Sequence, residues 1–210
     1  MFAKILTTTA AMTLATAAFE QVAGPATPAA PAIAAPAAAP AAAGPAAGTA
    51  TAADIGVQPL ENVPSPNYVA WAWDSNNYEI DAAKIALRKA TRPGVKTYAQ
   101  AMQTSHETMM ASLQASLKNP TREFIPPATR LSPANAALIK QLEDAPKAGF
   151  DSLYLTQQVT AHQKAWALNK GFANGGQDEA LKTLATTNVP MIEQHLADAK
   201  TLSPASLASR

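Results

Sequence analysis

Apolar residues recur at helical spacing in four long segments between residues 66 and 202, and no alternating run bounded by turn residues reads as a strand. The first segment, about 66–90, aligns Ala72, Ala82, Ala83, Ala86 and Ala90 and stops at "TRPG". The second, about 93–117, aligns Val95, Ala99, Met102, Met110, Leu113 and Leu117 before "KNP". The third, about 150–173, aligns Leu155, Val159, Trp166 and Ala173 before "NGGQD". The fourth, about 178–202, aligns Leu181, Leu184, Met191, Ile192, Ala199 and Leu202 before "SP". Such offsets keep side chains on one stripe of a helix, and the Pro and Gly positions end each stripe. Pro190 lies inside the fourth segment. The periodicity continues past it, which predicts a kink rather than an end.

The connections set the topology. The first and second segments, and the third and fourth, are joined tightly. The second and third are separated by "TREFIPPATRLSPANAALIKQLEDAPKAG". Within that stretch Ser132 as N-cap and Pro133 at the first helical position open a short helix. Two tight hairpins joined by one long crossover is the connectivity of ferritin-like bundles. The expected fold is all-α: a ferritin-like up-down four-helix bundle over residues 67–202, with a short helix in the crossover and a C-terminal tail at 203–210.

The chain before the bundle divides in two. "MFAK", the apolar run "ILTTTAAMTLATAAF" and the small residues at Ala15 to Ala17 follow the order of a signal peptide, assigned to residues 1–18. A disordered Ala/Thr tail is the other reading. Residues 19–66 are alanine broken by proline and glycine. Proline forbids one continuous helix there and large apolar groups are few, so an extended linker is expected. Its role is either reach or simple tethering. Export to the periplasm or cell envelope follows from the signal. The leader run is too short and threonine-rich to span a bilayer, and no later stretch is long enough to anchor the mature chain.

Composition narrows the partners. The formal net charge is +1 over 210 residues, without a basic stripe or polybasic segment, so neither nucleic acid nor an anionic membrane is an expected partner. Cysteine is absent, which removes disulfides, thiolate ligands and cysteine nucleophiles.

The candidate chemistry lies in the three histidines. His106, His162 and His195 fall in different helices, each at the centre of its apolar stripe. Glu79 lies on the alanine face of the first helix. The bulky Ile80 and Leu87 point a quarter-turn away, which places Glu79 at the edge of the core. Glu79 and His106 are symmetric about the Arg92–Pro93 turn and fall at one level. His162 and His195 differ by about five residues, roughly 7 Å of rise. Two readings stand. In one, Glu79, His106, His162 and His195 converge on a single Zn, Cu or Fe ion. In the other, three buried imidazoles each bond a neighbour and stabilise the bundle. Met102, Met109, Met110 and Met191 each lie close to a histidine in sequence. Met102, Met110 and Met191 are the candidate soft ligands for copper, and core packing is their other reading.

Other chemistry is thin. "NGGQD" follows no strand and is not a phosphate cradle; no Ser–His–Asp reading is specific enough to use, and no haem-attachment motif is present. Asp151, at the start of the third helix, reads as a charge favoured by the helix dipole.

Three stretches carry a family resemblance. They are "YEIDAAKIALRKATRPGVKTYAQAMQTSHE", "GFDSLYLTQQVTAHQKAWAL" and "LKTLATTNVPMIEQHLADAKTL". They resemble the bacterial domain-of-unknown-function family 4142, whose members are exported and ferritin-like. Met102 before His106, the Phe150, Asp151 and Tyr154 start before His162, and Pro190 before His195–Leu196 match its pattern. Ser105 departs from the acidic residue usual before the second-helix histidine. The resemblance implies an exported helical bundle and supplies no activity. Di-iron ferritins carry a glutamate three residues before a histidine on two helices. Here those positions are Gln103 and Ile192, which disfavours a ferroxidase centre. Three functions therefore compete: a single-ion metal-binding bundle, a non-catalytic envelope interaction module with structural histidines, and a metal-dependent oxidoreductase.

Overall fold

A computed structural model describes residues 48–118, 127 and 130–203. The segment expected to be a signal peptide, most of the Ala/Pro-rich stretch and most of the C-terminal tail lie outside the described residues. Among the described residues there are six helices and no strand: α1 (Ala52–Ile55), α2 (Ser65–Lys89), α3 (Pro93–Leu117), α4 (Pro133–Asp144), α5 (Lys147–Gly175) and α6 (Glu179–Leu202).

The ends follow local chemistry. Pro93 occupies the first turn of α3, where its missing N–H is no loss. Ser132 accepts the Asn135 N–H and opens α4, as its sequence predicts. Asp178 accepts the N–H groups of Ala180 and Leu181 and opens α6. That helix runs unbroken through Pro190. Helix α5 begins earlier than expected, so Asp151 lies beyond its first turn. Asp151 instead accepts from Thr91 N, Thr91 Oγ1 and Arg92 N, and so fixes the α2–α3 turn. Its expected role at its own helix end is corrected accordingly.

Helices α2 and α3 pack as one hairpin and α5 and α6 as another. Contacts of α2 with α5 and of α3 with α6 close the ring, and α4 lies against α2 and α5. The core is layered along this bundle. Tyr68, Val69, Leu113, Phe172 and Leu181 fill one end. Ala82, Val95, Met102, Phe150, Tyr154 and Ala199 fill the other. Between them in every long helix comes a buried polar residue: Glu79, His106, His162 and His195.

The folded part reaches back beyond the boundary expected at residue 66. Ala50 and Ile55 are buried against Trp166, Ile192 and Leu196. Thr51 and Asp54 form a capping box around α1, and Gly56 closes it with φ at +92°. The Leu60 N–H donates to Ala167 O at 2.9 Å. Gly171 permits this approach, because a Cβ there would lie 1.9 Å from Leu60 O. Glu193 accepts the N–H groups of Gly48 and Ala50 and holds the start of this strap on α6.

Candidate metal centre

His106 from α3, His162 from α5 and His195 from α6 meet in the bundle interior, each at most 6 % exposed. Their ring centroids form a nearly equilateral triangle with sides of 5.6, 5.6 and 5.4 Å. That size has a physical meaning. An ion about 2.0–2.1 Å from an imidazole nitrogen lies about 3.2 Å from the ring centroid, and three such centroids in a plane stand about 5.5 Å apart. One donor nitrogen from each ring lies within 4.8 Å of the other two, so small ring rotations suffice to close them on an ion.

Hydrogen bonding fixes which nitrogens are left. Asn76 Nδ2 donates to Ala72 O at 2.8 Å, so Asn76 Oδ1 faces His106 and accepts from its Nδ1–H at 2.9 Å. His162 Nδ1 donates to Gln158 O at 2.9 Å. The lone pairs then lie on His106 Nε2 and His162 Nε2. Both of these atoms, and His195 Nδ1, are buried without a hydrogen-bond partner. Trp73 Nε1 and Tyr154 Oη share that condition among the described residues. Burial holds the rings neutral. His162 is pushed down to about 4 and His195 to about 3, the latter also by its histidine neighbour. His106 is lowered by burial and by both other rings. Neutral imidazole is the form that binds a metal.

Glu79 is not at the core edge; it is 1 % exposed. The close packing permitted by the alanine face encloses it, which the direction of Ile80 and Leu87 did not convey. It stands behind His162 rather than among the converging nitrogens: Oε1 lies 3.7 Å from His162 Nδ1, the nitrogen already bonded to Gln158. Glu79 Oε2 accepts from Gln158 Nε2 at 2.6 Å. Burial raises its carboxyl to about 8, with the Gln158 bond opposing. At neutral pH this contact therefore joins two uncharged groups and is not an ion pair. Gln158 ties the surroundings together. Its Oε1 accepts from Tyr98 Oη, which also reaches His195 O.

The methionines separate. Met191 is 37 % exposed and turned out of the core, which removes it from the candidate donors. Met102 is buried in the apolar cluster with Tyr98 and Tyr154. Met110 is buried on α3. Met109, left out of the candidate ligand set, lines a small cavity together with His106.

The expected offset between His162 and His195 narrows from about five residues to three because α5 runs past Ala173 to Gly175, and the ring positions show that the side chains span what is left. Asn76 and Gln158 escaped the sequence reading. Their one signal is spacing: Asn76 precedes Glu79 by three positions and Gln158 precedes His162 by four, a polar residue on an otherwise apolar stripe.

No curated protein and no solved structure matches the chain. Residues 35–202 match the family described as Domain of unknown function (DUF4142). The match covers most of the chain and all three converging histidines, and the chain belongs to that family.

Proposed function

We propose that this protein is an exported, ferritin-like helical bundle that binds one transition-metal ion in its core. His106 Nε2, His162 Nε2 and His195 Nδ1 are the ligands. Glu79, first expected as a fourth ligand, is assigned a place behind His162, where it accepts from the Gln158 side chain, while the Gln158 carbonyl orients the His162 ring. The observation that carries the reading is the triangle of three buried, neutral imidazoles whose facing nitrogens lack partners. Structural histidines would be expected to spend both nitrogens on neighbours, since an orphaned buried polar atom costs about 1–3 kcal/mol. Three nitrogen donors without thiolate suit Zn²⁺, Cu²⁺ or Fe²⁺, and leave one coordination position for water or an exogenous ligand. The ferritin-like assignment is supported by the two hairpins and the long α3–α5 crossover that carries α4. Export is supported by the order of charge, apolar run and small residues at the N-terminus.

Metal analysis of untagged protein isolated from the periplasm tests the centre. About one ion per chain is the expected result, and its loss in His162→Ala completes it. Metal-free wild-type protein that also ignores added Zn²⁺, Cu²⁺ and Fe²⁺ would leave the histidines structural. Mass spectrometry of the exported chain tests the leader, with an N-terminus expected near Ala18. Only full-length cytoplasmic protein would refute export.

A further inference from the structure

Two cavities stand one behind the other beside the histidines. The outer is a cleft of about 390 Å³ between α2, α5 and the start of α4, with the exposed Leu60 and Trp71 among its lining residues. Asp74 and Lys164 both line it, so its rim charge balances. The inner cavity is about 20 Å³, room for one water, and is lined by Asn76, His106, Met109, Asn169 and Asn188. Ser75, Ala165 and Leu168 line both. A single layer of side chains therefore separates solvent in the cleft from a small chamber of mixed polar and apolar lining that borders His106.

We infer, building on the metal reading above, that this pair of cavities is the route by which a cation reaches the centre. A divalent ion cannot shed water into an apolar wall without a large desolvation penalty, so its path must offer donors in place of hydration. The inner chamber offers the second lone pair of Asn76 Oδ1 and the Asn188 amide, whereas Asn169 is taken up by Tyr68 Oη and Ala165 O. The Asn188 amide is held only by a long 3.5 Å bond to Asn169 and is free to turn towards an arriving ion. Asn76 and His106 share a hydrogen bond, so an ion at Asn76 is one ring away from the triangle. Ser75 is the one polar residue among the three that border both cavities, and its side chain is short. A longer side chain there obstructs the route without touching a ligand.

Stopped-flow uptake of Co²⁺, a coloured stand-in for Zn²⁺, tests this on the full mature chain. Ser75→Leu should slow uptake by about tenfold, a barrier raised by about 1.4 kcal/mol, while the final absorption spectrum and stoichiometry stay as in wild type. Ser75→Ile fills the same space without adding a donor, and circular dichroism checks that both variants fold. Met191→Leu, at an exposed position lining neither cavity, should load at the wild-type rate. Unchanged rates in folded Ser75 variants would overturn the route while leaving the centre standing. A wild-type protein that never develops the Co²⁺ spectrum would remove the centre and the route with it.

Discussion

The layer around Phe172 and the layer around the three histidines lie in the same bundle and are equally buried, yet they are finished to different degrees. Tyr68 stacks on Phe172 at 4.2 Å between centroids, and its hydroxyl donates to Asn169 Oδ1. Around it only Trp73 Nε1, at the margin of the cluster, lacks a hydrogen-bond partner among the described residues. In the histidine layer the outward nitrogens of His106 and His162 are bonded and the inward ones are not. The apolar layer contributes stability at all times. On the proposed metal reading, the histidine layer gains the rest of its stability only when an ion binds.

Substitutions in the two layers should therefore behave differently. Phe172→Ala should lower the free energy of unfolding by about 3–5 kcal/mol, since it removes a fully buried ring and leaves a cavity. Denaturant titration with and without Zn²⁺ should show the same metal-induced increment as wild type. A diminished increment would mean that the layers are coupled and the comparison fails.

His162→Ala should have a smaller effect on the apo protein and a decisive one on the holo protein. Binding to the native state adds about 2.7 kcal/mol at a hundredfold excess of metal over the dissociation constant. That increment should vanish in His106→Ala, His162→Ala and His195→Ala alike, with double variants losing no more than singles. Glu79→Gln should retain most of it, because its carboxyl stands behind a ligand. Thermal melts with metal and with chelator measure all of these, and a metal-responsive His195→Ala would dissolve the triangle.

The pH dependence of the apo protein sharpens the contrast further. The folded histidines sit below their ordinary 6.5, His162 at about 4 and His195 at about 3. Their share of stability is complete above 6.5 and is lost as pH falls through the folded values. Glu79 is displaced the other way, from 4.5 to about 8, so its share is complete below 4.5 and declines as pH rises towards 8. Three groups outweigh one on the acid side, which sets the apo optimum near pH 6.5. Glu79→Gln should flatten the alkaline decline alone. An apo protein most stable at pH 8 or above would contradict the burial of Glu79 as an uncharged group.

Much of this was legible in the sequence, for reasons that also mark where legibility stopped. Periodicity over long segments specifies helices and their inward faces, so His106, His162 and His195 could be assigned to the interior. The Ser132–Pro133 start of α4 was equally plain, being a local cap. The strap was not: Ala50 and Ile55 are two small anchors in a Pro/Ala-rich background, too few to produce a period. Its signal was the capping box of Thr51 and Asp54 followed by Gly56. Glu79 was misjudged because its burial is decided by how closely α2, α3 and α5 approach, a tertiary quantity. The tautomers of His106 and His162 depend on Asn76 Oδ1 and Gln158 O, and no spacing rule yields them.

The smallest effects concern the methionines, and they divide by position. A copper reading from the sequence alone treats Met102, Met110 and Met191 alike, as thioethers near histidines. Met191 is exposed, so Met191→Leu should leave Cu(I) affinity unchanged. Met102 packs in the apolar cluster with Tyr98 and Tyr154, and Met102→Leu should act on stability, by less than about 1.5 kcal/mol for a volume-conserving swap. Met109 shares the small cavity with His106, so Met109→Leu is the one substitution expected to weaken Cu(I) while sparing Zn²⁺, because a thioether is a soft donor that Zn²⁺ seldom uses. Competition against a colorimetric Cu(I) chelator, with a parallel Zn²⁺ titration, reads the difference. Equal affinities for both metals across Met102→Leu, Met109→Leu and Met191→Leu would assign every methionine to packing and leave the centre as nitrogen donors alone.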